Sequence, residues 1–304
     1  MKTISIMIMS VVAAFFVMPT LAQAQYTVEP RNGDLLRLDS ANFWHVTTGE
    51  TLRLEQREKI AEDVDSPSIS PDGKRVIVHR KPEAVGQPGK LFQWADAERT
   101  VTLLREDLDV SNYVTWTDND RFFMREQQAP FFEHGKKLNF AVEGRRTHFR
   151  SRRAINENAV LVYQMEDAII MKRENVIQVI SDVTRDRYFS PIVSADENFI
   201  VFVGLTSGVN LFDIAQNAVV YQDSLGAYPS FSADGRYLIY TQARDDGHVL
   251  TQTDTILIDL HHQRVIRVAN PEQEIRVRAT ISRDASYMAF ETASGEVFRA
   301  KLAL

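Results

Sequence analysis

A short phrase recurs along this chain, and a phrase repeated at a fixed interval restricts the fold more than any single residue does. Its form is an apolar residue, Ser, x, Asp, Gly and then a β-rich run. The first copy is Pro67-Ser68-Ile69-Ser70-Pro71-Asp72-Gly73-Lys74-Arg75-Val76-Ile77-Val78. It returns as Pro229-Ser230-Phe231-Ser232-Ala233-Asp234-Gly235-Arg236-Tyr237-Leu238-Ile239-Tyr240. Two further strong copies centre on Ser194 and Ser282, with Asp196 and Asp284 two residues on and with Glu197 and Ala285 in place of Gly. Weaker copies centre on Thr117 and Asn156. From Ser70 onward the intervals between markers are 47, 39, 38, 38 and 50 residues. Such spacing is that of a four-stranded propeller blade, about 40–45 residues.

The turn chemistry explains the phrase. Ser at the first corner can bond back to the backbone, Pro71 presets φ at the next, Asp72 favours the turn, and Gly73 takes a position of positive φ. Glu197 and Ala285 carry a Cβ at that position, so their turns are expected to be less regular. A second hairpin signal follows each phrase, at Leu91–Leu103, Asn210–Val220 and Thr255–Ile266. Alternation at period 2 with β-branched and aromatic residues excludes helices. Each repeat therefore reads as a four-stranded antiparallel meander. The fold expected is all-β, a β-propeller of four-stranded antiparallel blades. Residues 65–304 hold six markers, and residues 25–64, with a bend at Thr48-Gly49-Glu50, read as a degenerate seventh blade. Seven blades is the expectation and six the alternative. The last repeat ends soon after Val297–Leu302 and lacks an outer strand, so an N-terminal strand, with Tyr26–Val28 as candidate, is expected to close the ring.

The N-terminus reads as an export signal. Lys2 precedes an apolar run from Ile4 to Met18, and Leu21-Ala22-Gln23-Ala24 supplies a small-x-small cleavage pattern. The run is shorter than the roughly 20 residues that span a bilayer. Residues 1–24 are thus expected to be removed, leaving residues 25–304 as a single domain without a membrane span. The chain has no cysteine, which excludes disulfides, thiol catalysis and Cys-based metal sites. A cysteine-free exported chain points to the periplasm, with secretion as the alternative. Loss of residues 1–24, which hold Lys2 and no acid, moves the formal net charge from -6 to -7. That balance offers no general attraction for nucleic acid.

The Ser-Pro-Asp-Gly phrase followed by a β-run, repeated behind a signal peptide, resembles the propeller repeat of the TolB family. The resemblance covers residues 65–304 and is strongest at Ser70–Val78 and Ser232–Tyr240. With residues 25–64 alone between the signal and the first strong copy, a counterpart of the α/β domain that precedes the propeller in that family is not expected. The resemblance implies a periplasmic propeller serving as a protein-interaction platform, with a repeat also akin to WD-type propeller repeats.

Candidate chemistry is sparse. Residues Ser70, Asp72, Gly73, Ser194, Asp196, Ser232, Asp234, Gly235, Ser282 and Asp284 recur at one turn, so they read as fold determinants with no catalytic role. A hydrolase reading needs a Gly-x-Ser-x-Gly elbow, which the sequence lacks. A sialidase box would place Gly two residues after Asp, whereas Gly73 and Gly235 follow Asp directly. None of the seven histidines pairs at His-x-His or His-x3-His spacing, so no metal and no cofactor are expected. One charge cluster stands out in this acidic chain. Lys136, Lys137, Arg145, Arg146, Arg150, Arg152 and Arg153 are accompanied only by Glu143. It reads either as a site for an anionic partner or as an edge strand guarded by charge. The apolar stretch around Pro130-Phe131-Phe132 is a second docking candidate, and Ala243–His248 an acidic turn. The function expected is non-enzymatic binding to envelope or periplasmic proteins, through loops at one propeller face and the channel mouth. The alternative is a polysaccharide lyase or other glycan-active enzyme with a site at that mouth.

Overall fold

The computed structural model describes residues 51–80, 89–108, 114–116, 119, 121–124, 138–142, 145–149, 160–173 and 176–303. Among the described residues all regular structure is strand. The first strand, β1 (Thr51–Glu62), is followed by antiparallel meanders. The first comprises β2 (Asp65–Ile69), β3 (Arg75–Arg80), β4 (Gly89–Ala95) and β5 (Thr100–Leu108). The second holds β6 (Val114–Trp116), β7 (Arg121–Met124), β8 (Leu138–Val142) and β9 (Arg145–Phe149). The third shows β10 (Leu161–Met165), β11 (Ala168–Arg173) and β12 (Val176–Val179). The fourth is β13 (Tyr188–Val193), β14 (Phe199–Gly204), β15 (Gly208–Asp213) and β16 (Ala218–Asp223). The fifth is β17 (Gly226–Phe231), β18 (Tyr237–Asp245), β19 (Leu250–Asp259) and β20 (Arg264–Val268). The sixth is β21 (Arg276–Ile281), β22 (Tyr287–Thr292) and β23 (Glu296–Ala303), with β1 as its fourth strand. The hairpins anticipated at Leu91–Leu103, Asn210–Val220 and Thr255–Ile266 are β4–β5, β15–β16 and β19–β20.

Five apolar clusters each join two consecutive meanders, the sixth packing back on the first. Ile77 and Leu91 of the first meet Trp116 and Phe122 of the second. Ile169 and Met171 meet Ile200 and Phe202, and Phe199 and Val201 meet Leu238 and Tyr240. Tyr237 and Ile239 meet Met288 and Phe290, and Ala289 and Val297 meet Val76 and Val78. Successive residues of one strand thus serve opposite clusters, as Ile200 and Val201 do. A sheet covered on both faces needs apolar residues at every position, which is why β14 reads as an unbroken apolar run. A fully buried side chain such as Phe202 or Ile239 contributes about 1.5–3 kcal/mol. Face-to-face stacking of four-stranded meanders is the arrangement of blades in a β-propeller.

The start of the chain departs from expectation. Residues 51–62 do not begin a separate seventh sheet. β1 runs antiparallel to β23, from Arg53 opposite Ala303 to Glu62 opposite Glu296. Its first residues also pair in parallel with β20, through Thr51 and Leu52. Two open sheet edges are satisfied by this one strand, and neither could be closed by local sequence. A bulge between Glu55 and Glu58 turns Arg57 inward, over the Phe298 ring at 3.9 Å and onto Glu274 and Glu272. The missing outer strand of the last repeat is therefore supplied from the N-terminal side, by β1; Tyr26–Val28 lies outside the described residues.

The four strong turns share one geometry. Ser70 Oγ donates to Asp72 Oδ1 at 2.7 Å and accepts Arg75 N–H at 2.9 Å. The same pair of bonds forms at Ser194 (2.6 and 2.9 Å), Ser232 (2.7 and 3.0 Å) and Ser282 (2.9 and 3.0 Å). Gly73 and Gly235 have φ of 72° and 80°. Glu197 and Ala285, expected to distort their turns, adopt φ of 57° at the same position. The side-chain and backbone bonds around Ser and Asp hold the left-handed residue whatever its type, at a cost of about 1–2 kcal/mol for a Cβ.

Candidate binding site at the inner-strand ends

The first strands of the fifth, sixth and first meanders lie side by side. β2 and β21 abut, with Ile69 N–H donating to Thr280 Oγ1 at 3.1 Å, and β17 packs against β21. Four of the first strands, β2, β13, β17 and β21, carry a bulge near their start, between Asp65 and Ser68, Phe189 and Ile192, Ala227 and Ser230, and Val277 and Thr280. At the bulge one non-glycine residue is left-handed: Ser66 (φ 51°), Ser190 (53°), Tyr228 (54°) and Arg278 (50°). All four lie four residues before the repeat's Ser. Left-handed non-glycine residues persist where surrounding structure over-determines them and are enriched at functional sites.

Two of these residues meet across neighbouring meanders. The Arg278 guanidinium sits 4.9 Å from the Tyr228 ring centroid. Arg278 Nη1 donates to Glu291 Oε1 and Oε2 at 3.1 and 2.9 Å. Glu291 Oε2 also accepts Ser66 N–H at 3.2 Å, so one carboxylate ties the sixth meander to the first. Burial pushes the Glu291 carboxyl above its ordinary value, against the opposing pull of Arg278, and the nearby Asp65 adds to the rise. Burial works against the Arg278 charge, but Glu291, with Tyr228 and then Asp65 adding to it, outweighs burial and holds the guanidinium more firmly protonated. Opposite Asp65 in register, buried His79 is pushed below its ordinary value by burial, partly offset by Asp65.

The anticipated charge cluster is placed in part. Arg145 and Arg146 belong to β9, the outermost strand of its sheet, with Arg146 opposite Ala141. Lys136, Lys137, Arg150, Arg152 and Arg153 lie outside the described residues, as does Pro130-Phe131-Phe132. The turn at Ala243–His248 satisfies itself: Asp246 Oδ1 accepts the N–H groups of His248 and Val249, and Asp245 Oδ1 accepts that of Gly247. His262 Nδ1 lies 2.9 Å from Asp259 Oδ2. Among the described residues no three His, Cys, Asp or Glu side chains are grouped to hold a metal. Arg278, Glu291 and Tyr228 were not anticipated. Only the common offset of Tyr228 and Arg278 from the repeat marker could have flagged those two, and no sequence signal marks Glu291.

No protein-family profile matches this chain. No curated protein matches it either. Among solved structures it is similar to the Cps50 (Swd1) β-propeller domain of Myceliophteria thermophila, at 11% identity and a TM-score of 0.47, covering 83% of this chain and 100% of that one. It is also similar to XC5397 from Xanthomonas campestris, a gluconolactonase, at 11% identity and a TM-score of 0.47, covering 81% and 89%. Likeness at this level bears on no activity, and the architecture rests on the chain's own sheets. Those sheets define a β-propeller-type protein whose inner-strand ends carry an arginine, a tyrosine and buried carboxylates.

Proposed function

We propose that the chain is an exported, non-enzymatic binding protein of the TolB-like propeller type, acting in protein–protein interaction in the cell envelope. Residues 1–24 act as the cleaved signal, and the mature propeller works in the periplasm. Six blades are inferred, with β1 closing the sixth. One observation carries the binding reading. The repeated Ser and Asp side chains are consumed by their own turns, each Ser Oγ both donating and accepting. At the inner-strand ends, by contrast, Arg278 is held by a single carboxylate through Nη1 and keeps bonding capacity to spare among the described residues. The exposed apolar residues Met165, Val176, Ile177, Val179 and Val183, gathered in and beside the third meander, add a surface suited to a protein partner. The basic run at residues 136–153 supplies a further contact for an acidic partner.

The test is recovery of the tagged chain from native envelope. Near-equimolar retention of one envelope protein, reproduced with purified components, supports the reading. Turnover of an acidic polysaccharide by the purified chain overturns it in favour of a glycan-active enzyme. Recovery of the chain in the culture medium overturns the periplasmic location. Neutralising Arg146, Arg150 and Arg152 should leave folding intact and weaken the partner.

A further inference from the structure

We infer that Arg278, seated on Tyr228 and held by Glu291, is the residue that receives a carboxylate of the partner polypeptide at the inner-strand mouth. This rests on the binding reading above and names its chemistry. Glu291 takes up only Nη1 of the guanidinium, with both oxygens on that one nitrogen. Among the described residues no acceptor engages Nε or Nη2, and 29% of the side chain remains exposed. The Nε–Nη2 edge of a guanidinium is a planar fork that matches the two oxygens of a carboxylate. The fork is also preorganised. Tyr228 supports its face, Glu291 anchors one end, and the left-handed backbone of Arg278 fixes its origin. Little rotamer freedom is then left to lose on binding.

Charge and shape narrow the ligand. Asp65 and Glu291 set two acidic groups beside one arginine, and both act electrostatically on it. A phosphate dianion would meet more repulsion there than a monoanion held in the plane of the fork. A uronic acid carries the same carboxylate, but its pyranose ring would need an aromatic platform. The guanidinium already covers one face of Tyr228. An aspartate, a glutamate or a chain terminus reaches the fork on a narrow stem without that platform. Counting back four residues from all six markers gives Ser66, Tyr113, Arg152, Ser190, Tyr228 and Arg278, so the order Ser, Tyr, Arg runs twice through the sequence. Tyr113 and Arg152 lie outside the described residues, and nothing in the assignment of Arg278 depends on them.

The experiment uses the full purified chain with three probes: a short, end-capped peptide carrying one aspartate, its asparagine analogue, and trigalacturonate. The assigned Arg278 Nε–H resonance of the wild-type chain should shift saturably with the aspartate peptide, and the asparagine analogue should bind about tenfold more weakly. Arg278→Lys, which keeps the charge and loses the fork, should weaken the aspartate peptide about tenfold. Arg99→Gln, at a side chain 68% exposed and remote from the mouth, should not change it. No shift in the wild-type resonance overturns the site without recourse to any variant. Equal binding of the two peptides overturns the carboxylate, and tighter binding of trigalacturonate overturns the polypeptide source. An envelope partner retained equally by wild type and Arg278→Lys would leave the binding protein standing and overturn this site.

Discussion

Gly73→Ala probes both the repeat turn and the packing of the first meander against the sixth. Gly73 has φ of 72°, and a Cβ there would lie 2.6 Å from Tyr287 Cδ2 and 2.9 Å from Tyr287 Cβ and Cγ. Those last atoms are the root of the side chain, which a rotamer change cannot move far. Tyr287 is held by its own N–H to Ser282 Oγ at 3.0 Å and covered by the Arg299 guanidinium at 4.0 Å. Arg299 Nε in turn donates to Gly73 O at 2.6 Å, which pins the turn from the other side. A left-handed alanine costs about 1–2 kcal/mol, and the stiffer unfolded chain returns about 0.4–1 kcal/mol. Forcing the Cβ against Tyr287 adds about 1–3 kcal/mol of overpacking. Gly247→Ala isolates the backbone part, since φ is 89° there and no atom lies within 4 Å of the added Cβ. The two variants should therefore differ by about 2 kcal/mol, the overpacking share. In thermal denaturation that is a further drop of about 4 °C or more for Gly73→Ala. Equal losses for the two variants would refute the contact and, with it, the docking of the sixth meander on the first.

Ala285→Gly should leave stability unchanged or raise it by up to about 1.5 kcal/mol, because relief of a left-handed Cβ is only partly offset by a more flexible unfolded chain; a loss above about 2 kcal/mol in urea denaturation would contradict the shared turn geometry. Tyr240→Phe should cost about 1.5–3 kcal/mol, since its buried hydroxyl donates to the partly buried Asp223 Oδ2 at 2.7 Å and lies 2.6 Å from the buried Tyr221 Oη. Burial raises the Asp259 carboxyl, but hydrogen bonds from Arg236 and His262 outweigh it and leave it below its ordinary value of 3.8. Its stabilisation is therefore present above that value and lost as pH falls through the folded one, so the stability gap between wild type and Asp259→Asn should narrow as denaturation is carried from neutral pH to below pH 3.8. Glu291 runs the other way. Its carboxyl is raised above 4.5 by burial, so wild type should lose stability relative to Glu291→Gln as pH rises from 4.5 through the folded value, and a constant gap would contradict its burial.

The repeat was legible because turns are local. Ser70, Asp72 and Gly73 satisfy one another within six residues, so their spacing carries the geometry on its face. Glu197 and Ala285 misled for a related reason. Residue preference ranks Gly first at positive φ, but the bonds from Ser and Asp in each turn outweigh that preference. The role of β1 was hidden because Arg53 and Ala303 are partners from opposite ends of the chain. Its charged, irregular sequence shows neither a clean alternation nor a turn signal for that pairing.

Period and turn residues determined from sequence alone that this protein is a series of small antiparallel sheets, because each of those signals acts over a few residues. Which strand closes the sixth sheet, and which side chains meet at the inner ends, was decided only by the tertiary structure. Tyr228 and Arg278 stand fifty residues apart and become neighbours because consecutive sheets stack with their first strands together. Glu291 reaches Ser66 only because the last sheet packs back on the first. Contacts of that range depend on how whole sheets are stacked, and no stretch of local sequence encodes them.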